Sequence, residues 1–504
     1  MKTHGSDTIV QKTKKEENKS HMFKKPGLWR GIAHIAVFCL AIVITLAVVM
    51  EQYRAPIDTL FKTRSQKIVT EKTDDEEDIW NYKSNFTTAK EAYEGLKEFA
   101  IRESEETYVL LKNNNNALPL SKTAKITLLG VRSYAPVYGN TMASNPDGKS
   151  TEGNEIFEAF EDAGFELNPT MLATYASYFA DKEWNKNRYT GAVTPEYSDI
   201  TFYDRVVEFT PAELEAMNSD YDKDFAEYDD AAIVVVGRPG SESAQGYKPG
   251  AEGLAPGVET VTGNILSLTT EEMEIINLAK ENFDKVIVLV NAANPMEIKN
   301  LKEDSGIDAI LWIGFPGSYG FHGVASVLNG TVSPSGHLGD IFETNSAMAP
   351  AMKNYGDMPW ANQDQFDSAD NVNGYLVQAE SIYAGYRYYE TRYADCVMDK
   401  GNAKNAKAGT YAQPNGKPAT ADGTWDYKDQ VVYPFGYGLS YTTFEQTLDN
   451  VNILGNKKTA YVTVTVKNTG NVAGKSVVQL YAQVPYTQYD IENGVEKSAI
   501  QLID

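Results

Sequence analysis

The stretch Arg238-Pro239-Gly240-Ser241-Glu242-Ser243 follows directly on an unbroken apolar run at residues 232–237. A carboxylic acid on such a loop can give a proton to a bound substrate or take one from it, the work of a general acid or base. A second loop carboxylate, Glu252 in Ala251-Glu252-Gly253, lies nearby. By residue type and placement alone a glutamate on a loop is more often a solvated charge. Other chemistries have less to work with. There are two cysteines, Cys39 and Cys396, and five histidines, with no CxxC and no His pair at ligand spacing. That argues against a structural zinc or haem site, and no cofactor or metal is expected. The loops contain single glycines but neither GxGxxG nor a Walker pattern, which argues against a nucleotide site.

The elements that would position such a loop are legible. Short apolar runs bounded by Gly, Pro or Asn lie at residues 126–130, 232–237, 286–291 and 309–314. Unalternated, β-branched runs of this kind read as buried parallel strands. Helical patterns lie between them at residues 156–163 and 269–283, the second with Thr270 as N-cap and Glu271 and Glu272 in its first turn. Residues 87–112 also read as a helix, with Ala92, Leu96, Phe99, Ala100 and Val109 near 3.6-residue spacing. Strand, helix, strand at these intervals implies a layered α/β sandwich with a mostly parallel sheet and right-handed crossovers. Functional loops in such sheets follow the C-terminal ends of the strands, which directs attention past Gly130, Gly237, Asn291 and Gly314. From about Phe444 the period changes to two. Residues 461–467 alternate, Asn468-Thr469-Gly470 makes a turn, and residues 477–484 read as another strand, the start of a β-sandwich.

The 504 residues leave room for two or three domains, and 42% apolar with 23% charged is an ordinary globular balance. Charge is uneven: residues 1–50 hold eight Lys or Arg against three Asp or Glu, and the rest hold 38 against 66. So acidic a body would repel a polyanion, which argues against nucleic acid as a partner. Residues 31–50 contain no Asp, Glu, Lys or Arg. As a helix they would be about 30 Å long, the thickness of a hydrocarbon core. Lys24, Lys25 and Arg30 precede the run and Glu51 follows it, so the positive-inside rule puts residues 1–30 in the cytoplasm. The run ends Val48-Val49-Met50-Glu51-Gln52-Tyr53, which lacks a small-x-small cleavage site. The expectation is a single-pass cell-membrane anchor with an extracytoplasmic body. With Cys39 inside that run and Cys396 far outside it, no intramolecular disulfide is expected. Residues 51–86, with Asp74-Asp75-Glu76-Glu77-Asp78, read as an acidic stalk.

Tyr433-Pro434-Phe435-Gly436-Tyr437-Gly438-Leu439-Ser440-Tyr441 crowds aromatics and turn formers into one segment. Three further motifs precede it in the chain. They are Val109-Leu110-Leu111-Lys112-Asn113 with Ala117-Leu118-Pro119-Leu120, Gly314-Phe315-Pro316-Gly317, and Tyr383-Ala384-Gly385-Tyr386-Arg387-Tyr388-Tyr389. In this order they resemble the non-barrel half of glycoside hydrolase family 3, the family of β-glucosidases and related exo-acting enzymes. The resemblance runs from about Ala89 to Asp504.

The resemblance implies hydrolysis of terminal, non-reducing β-linked sugar residues with retention, on a glycoside or oligosaccharide substrate. Such chemistry uses two carboxylates. In the family the nucleophile is an Asp on a TIM barrel, and the acid/base is often a Glu on a loop of the α/β domain. By position Glu242 matches that acid/base, with Glu252 as runner-up, although Ser241 and Ser243 stand where the family has glycines. Ser219-Asp220-Tyr221 looks like the nucleophile motif, but it lies in an acidic polar stretch ahead of the 232–237 run and reads as a solvated loop. The family's nucleophile belongs to the barrel, so none is expected in this chain. The implied arrangement is the permuted, barrel-last one: cytoplasmic tail 1–30, anchor 31–50, stalk 51–86, α/β domain 87–443, and a truncated fibronectin type III-like domain 444–504. A TIM barrel is expected downstream or in trans, and the chain alone is expected to be inactive. The alternative is a non-catalytic, membrane-anchored carbohydrate-binding or interaction module.

Overall fold

The computed structural model describes residues 26–52, 85–139, 156–180, 184–186, 193–197, 200–201, 206, 208–238, 259–353, 378, 380–396, 398, 425–455 and 459–504. The chain divides into two units, Met1–Asn85 and Phe86–Asp504. In the first, a helix runs Pro26–Gln52. Its Gly27–Ala47 portion is long and apolar enough to cross a membrane.

Fifteen strands occur among the described residues of the second unit. They are β1 (Val109–Asn113), β2 (Lys125–Leu129), β3 (Glu166–Leu167), β4 (Trp184–Lys186), β5 (Val193–Tyr197), β6 (Ile200–Thr201), β7 (Ala231–Gly237), β8 (Val286–Asn291), β9 (Ala309–Trp312), β10 (Phe342–Glu343), β11 (Val431–Tyr433), β12 (Phe444–Ile453), β13 (Ala460–Asn468), β14 (Tyr481–Ala482) and β15 (Gln501–Leu502). The central sheet has the order β1-β9-β8-β7-β2-β3. β9, β8, β7, β2 and β3 are parallel, and β1 lies antiparallel against β9 at one edge.

β7 and β8 are buried along their whole length. Their residues divide alternately between two apolar clusters. Ala232, Val234, Val236, Val286, Val288 and Val290 face one side with Leu214, Ile275, Ile276 and Ala279. Ala231, Ile233, Val235, Ile287 and Leu289 face the other with Ala159, Phe160, Phe321, Val324 and Leu328. The sheet is thus covered on both faces by helices, which is why these strands show no polar alternation. Burying each Val or Ile contributes on the order of 1.5–3 kcal/mol, so the middle of the sheet is its most stable part.

Three sequence expectations need correction. The helix expected over residues 87–112 ends at Thr107, and Val109–Asn113 is a strand. Helical spacing continued through Val109, but pairing with β9 prevails there: Tyr108 turns to extended backbone, its hydroxyl donates to the Gly320 carbonyl at 2.8 Å, and Val109 joins Trp312 in register. The 270–282 helix is capped by Thr269 rather than Thr270. The Thr269 hydroxyl accepts from Glu272 N–H, and the Glu272 carboxylate accepts from Thr269 N–H. Of the strand expected at residues 477–484, only Tyr481–Ala482 pairs, with β15. Val477 and Val478 are exposed and outside any strand, because an isolated extended segment has no ladder to hold it. β12 and β13 form a long antiparallel ribbon, and Asn468 Oδ1 accepts from Gly470 N–H to shape the turn that follows it.

The recurring motifs meet at the β1 edge. Leu439 N–H donates to Leu110 O at 2.9 Å, the Tyr437 hydroxyl to Leu111 O at 3.1 Å, and the Tyr441 hydroxyl to Val327 O at 2.8 Å. Tyr386 and Phe435 lie with ring centroids 4.7 Å apart. The 433–441 segment therefore covers the outer edge of β1, the edge not paired with β9. Gly438 is needed because a Cβ there would stand 2.2 Å from Gly336 O.

Candidate functional site

The parallel strands end together, and each end is tied off by polar contacts. After β2, Gly130 takes φ +86°, and a Cβ there would lie 2.7 Å from Val235 O. Its N–H donates to the Tyr175 hydroxyl oxygen at 2.8 Å. The next residue, Val131, donates its N–H to both carboxylate oxygens of Glu208, at 2.9 and 3.0 Å. Phe209 N–H adds a third contact at 2.9 Å. Burial pushes the Glu208 carboxyl up to about 8, and the charge of Glu272 adds to the rise; the two backbone donors and Arg132 pull it down. Glu208 is thus an acid poised to hold a proton near neutral pH. Nothing in the sequence marked it, since it belongs to no motif.

At the end of β8, Asn291 accepts from Val137 N–H at 2.6 Å and donates to the carbonyls of Val137 and Gly314, at 2.9 and 2.8 Å. That side chain joins the loops after β2 and β9. At the end of β7 stands Arg238, fully buried. Its guanidinium makes a bidentate pair with buried Glu272, at 2.6 and 2.7 Å. It also donates to Ile265 O and Ser267 O at 2.5 Å each and to Gly237 O at 2.8 Å. Further along the chain, the buried Glu297 carboxylate accepts from Thr262 Oγ1 at 2.5 Å, Asn264 Nδ2 at 3.0 Å and Ser346 N–H at 2.7 Å.

Arg238 is the last described residue before 239–258. Glu242 and Glu252 both lie outside the described residues. Asp220 is exposed, in the turn after the Pro211–Met217 helix. Among the described residues no group of three or more His, Cys, Asp or Glu could hold a metal ion.

A second polar spot lies beside β10. Ile341, Tyr388, Tyr389, Trp425 and Val431 form an apolar cluster, with Tyr383, Tyr386, Tyr427 and Phe435 around it. Burial and the neighbouring Asp340 charge push Glu343 up to about 8, and the Tyr389 hydroxyl donates to it at 3.4 Å. The aromatics of this cluster pack on one another: Trp425 is buried, and Tyr427 meets it edge to face.

The profile described as glycosyl hydrolase family 3 C-terminal domain matches residues 108–441. The chain belongs to this family. Among relatives with known names, a β-glucosidase of Ruminococcus albus is 29% identical over 77% of this chain and 32% of its own length. β-Glucosidase A of Butyrivibrio fibrisolvens is 26% identical over 75% of the chain and 40% of its own length. This family 3 chain therefore spans about a third to two fifths of those relatives. Among solved structures, a Paenibacillus barengoltzii β-glucosidase superposes with a TM-score of 0.56 at 24% identity, over 81% of this chain and 36% of that one. β-Glucosidase 3B of Thermotoga neapolitana, solved with α-D-glucose, gives 0.53 at 24% identity, over 83% and 47%. At that identity the structures speak for a shared fold.

Proposed function

We propose that this chain is the α/β-domain portion of a membrane-anchored, retaining β-glucosidase-like hydrolase, with Glu242 as its acid/base. The observation that carries the reading is the exit of β7. A central, fully buried strand delivers the chain to a pinned Arg238, four residues ahead of Glu242. Family membership supports the reaction class, and the names of the relatives support a β-linked glucosyl substrate. In this reading Glu242 protonates the leaving oxygen and later deprotonates the attacking water. An Asp on a TIM barrel, carried downstream or supplied in trans, forms the glycosyl-enzyme. Residues 444–504 are read as fibronectin type III-like, and the β12–β13 ribbon supports a sandwich strand pair. Residues 31–50 are read as the anchor, supported by the Gly27–Ala47 apolar helix.

The test uses this chain joined to a family 3 barrel. Loss of a positioned acid costs on the order of 10²–10⁴-fold. Glu242→Ala should slow disaccharide hydrolysis by that much, while the first step on activated aryl glycosides is spared and azide rescues the second. If Glu242→Ala leaves disaccharide turnover intact and Glu252→Ala abolishes it, the role moves to Glu252. If neither matters, the acid lies elsewhere and the β7 loop has no part in the chemistry.

A further inference from the structure

We propose that residues 479–504 are a strap that belongs to the α/β unit, and that the aromatic motifs at 383–389 and 433–441 form the surface on which it docks. Residues 444–504 then divide between two structures. β12 and β13 stand out as a ribbon, and the segment after them returns to the α/β unit. This holds whichever residue serves as the acid.

The strap is tied to itself first. Tyr481 and Ala482 of β14 pair with Leu502 and Gln501 of β15. Beside that pair Leu480 N–H donates to Asp504 O at 2.7 Å, and Ile503 N–H to Leu480 O at 2.9 Å. Between the two strands the Gln488–Asn493 helix ends at Gly494, in the left-handed region with φ +63°. Buried Asp490 accepts from Lys497 Nζ at 2.8 Å and from Thr487 N–H at 2.7 Å. Val495 N–H donates to Asp490 O at 2.9 Å. A two-stranded hairpin of this size is marginal alone in water. Its order must come from what it rests on.

It rests on the two aromatic motifs and the helix that follows the first of them. Leu502 N–H donates to the Tyr386 hydroxyl oxygen at 2.9 Å, and Ala499 N–H to Thr391 Oγ1 at 2.9 Å. Both acceptors lie on the Tyr386–Cys396 helix, and Thr391 and Ala499 are buried. The Tyr386 ring meets Tyr481 edge to face at 6.1 Å and Phe435 at 4.7 Å. Tyrosine suits this place because its ring packs while its oxygen takes a main-chain N–H. Gly436 holds φ +77°, and a Cβ there would lie 2.3 Å from Gln479 Nε2. The glycine thus leaves room for the first side chain of the strap, whose Oε1 accepts from the Tyr481 hydroxyl at 2.9 Å.

The ribbon behaves differently. β12 and β13 pair with each other and are largely exposed. Gln446 reaches the connecting segment, donating to Ser476 Oγ and Val477 O. From Gln479 onward the docking contacts run to Gly436, Tyr386 and Thr391 instead. The same 433–441 motif is bonded to β1 through Tyr437 and Leu439. One aromatic segment therefore meets the strap at Gly436 and the central sheet at Leu439.

Hydrogen exchange of the full chain tests the strap. The readout is Leu480, Val495 and Ile503, whose N–H groups are bonded inside the strap rather than to its docking surface. In wild type they should exchange more slowly than β12 and β13. Thr391→Val with Tyr386→Phe removes both acceptor oxygens and keeps the side-chain shapes. It should speed exchange at the three positions by about tenfold or more, with β7, β8, β12 and β13 unchanged. Exchange at the ribbon's rate in wild type, no change in the variant, or equal acceleration of strap and ribbon would overturn the proposal. Should the double variant lose protection in β7 and β8, Ala499→Pro decides from the other side. It removes the N–H given to Thr391 and leaves the docking surface intact. Faster exchange over residues 386–396 with β7 and β8 still protected supports the strap, and unchanged exchange there refutes it.

Discussion

Glu208 makes the stability of the α/β domain depend on pH in a direction opposite to ordinary acid denaturation. Its carboxyl is moved from 4.5 to about 8, chiefly by burial. The folded protein therefore holds a proton there that the unfolded chain has released. The stabilisation is fully present below about 4.5 and is lost as pH rises through about 8. Each tenfold change in proton affinity is worth about 1.4 kcal/mol, so the ceiling is about 5 kcal/mol. An effective dielectric near 20 reduces the working figure to about 2–3 kcal/mol. The groups facing this carboxyl are Val131 and Phe209 N–H, Arg132 and Glu272. Glu208→Gln keeps the size and an acceptor oxygen but cannot ionise. Urea unfolding of both proteins, followed by tryptophan fluorescence at pH 5 and 8.5, isolates the effect, because Glu343 titrates with the same sign in both. The variant should gain about 2–3 kcal/mol on wild type between the two pH values. A wild-type-minus-variant difference that is the same at both would refute the protonated, buried carboxyl.

The remaining expectations concern packing, charge pairing and the C-terminal ribbon. Gly438→Ala should destabilise the domain by about 1–3 kcal/mol in thermal unfolding, since overpacking against the Gly336 carbonyl forces the backbone to move; an unchanged melting temperature would contradict the contact. Hydrogen bonds from Lys497 and Thr487 lower Asp490 to about 2, so its contribution is present above 3.8 and is lost as pH falls through about 2. Lys497→Met should therefore speed hydrogen exchange over residues 487–495 at pH 6 and lose its effect near pH 2; an effect that persists at pH 2 would refute the pairing. β12 and β13 pair with each other in a two-stranded sheet whose residues are largely exposed. Their amides should exchange far faster than those of β7 and β8, and equal protection would show that the ribbon is covered.

The parts of the fold that were legible are those where a local pattern and the tertiary environment agree. β7 and β8 read as buried strands because both faces are in fact covered, and Val234 and Val235 go to opposite sides of the sheet. β1 was misread because Val109 continues a helical spacing, and only pairing with distant Trp312 makes it a strand. The N-cap was misplaced by one residue because two threonines are adjacent, and the choice is made by which hydroxyl meets Glu272 N–H. The 433–441 segment is conspicuous by composition, but its contacts with Leu110 and Leu111, more than 300 residues away, are made only by folding. Glu208 left no trace in the sequence, because its proton affinity comes from burial and from neighbours brought together only by folding. The Arg238–Glu272 pair is equally silent, its partners being 34 residues apart. Glu242 is singled out by the family resemblance and lies outside the described residues, so the fold speaks only to Arg238 at the end of β7.

The measurement that bears most directly on the central reading is cellobiose hydrolysis by this chain alone, by a family 3 barrel alone, and by the two joined. The expected result is no turnover by the chain alone, weak turnover by the barrel alone, and a gain on joining of on the order of 10²–10⁴-fold that Glu242→Ala abolishes. Turnover by the chain alone, or a joined enzyme indifferent to Glu242→Ala, would contradict it.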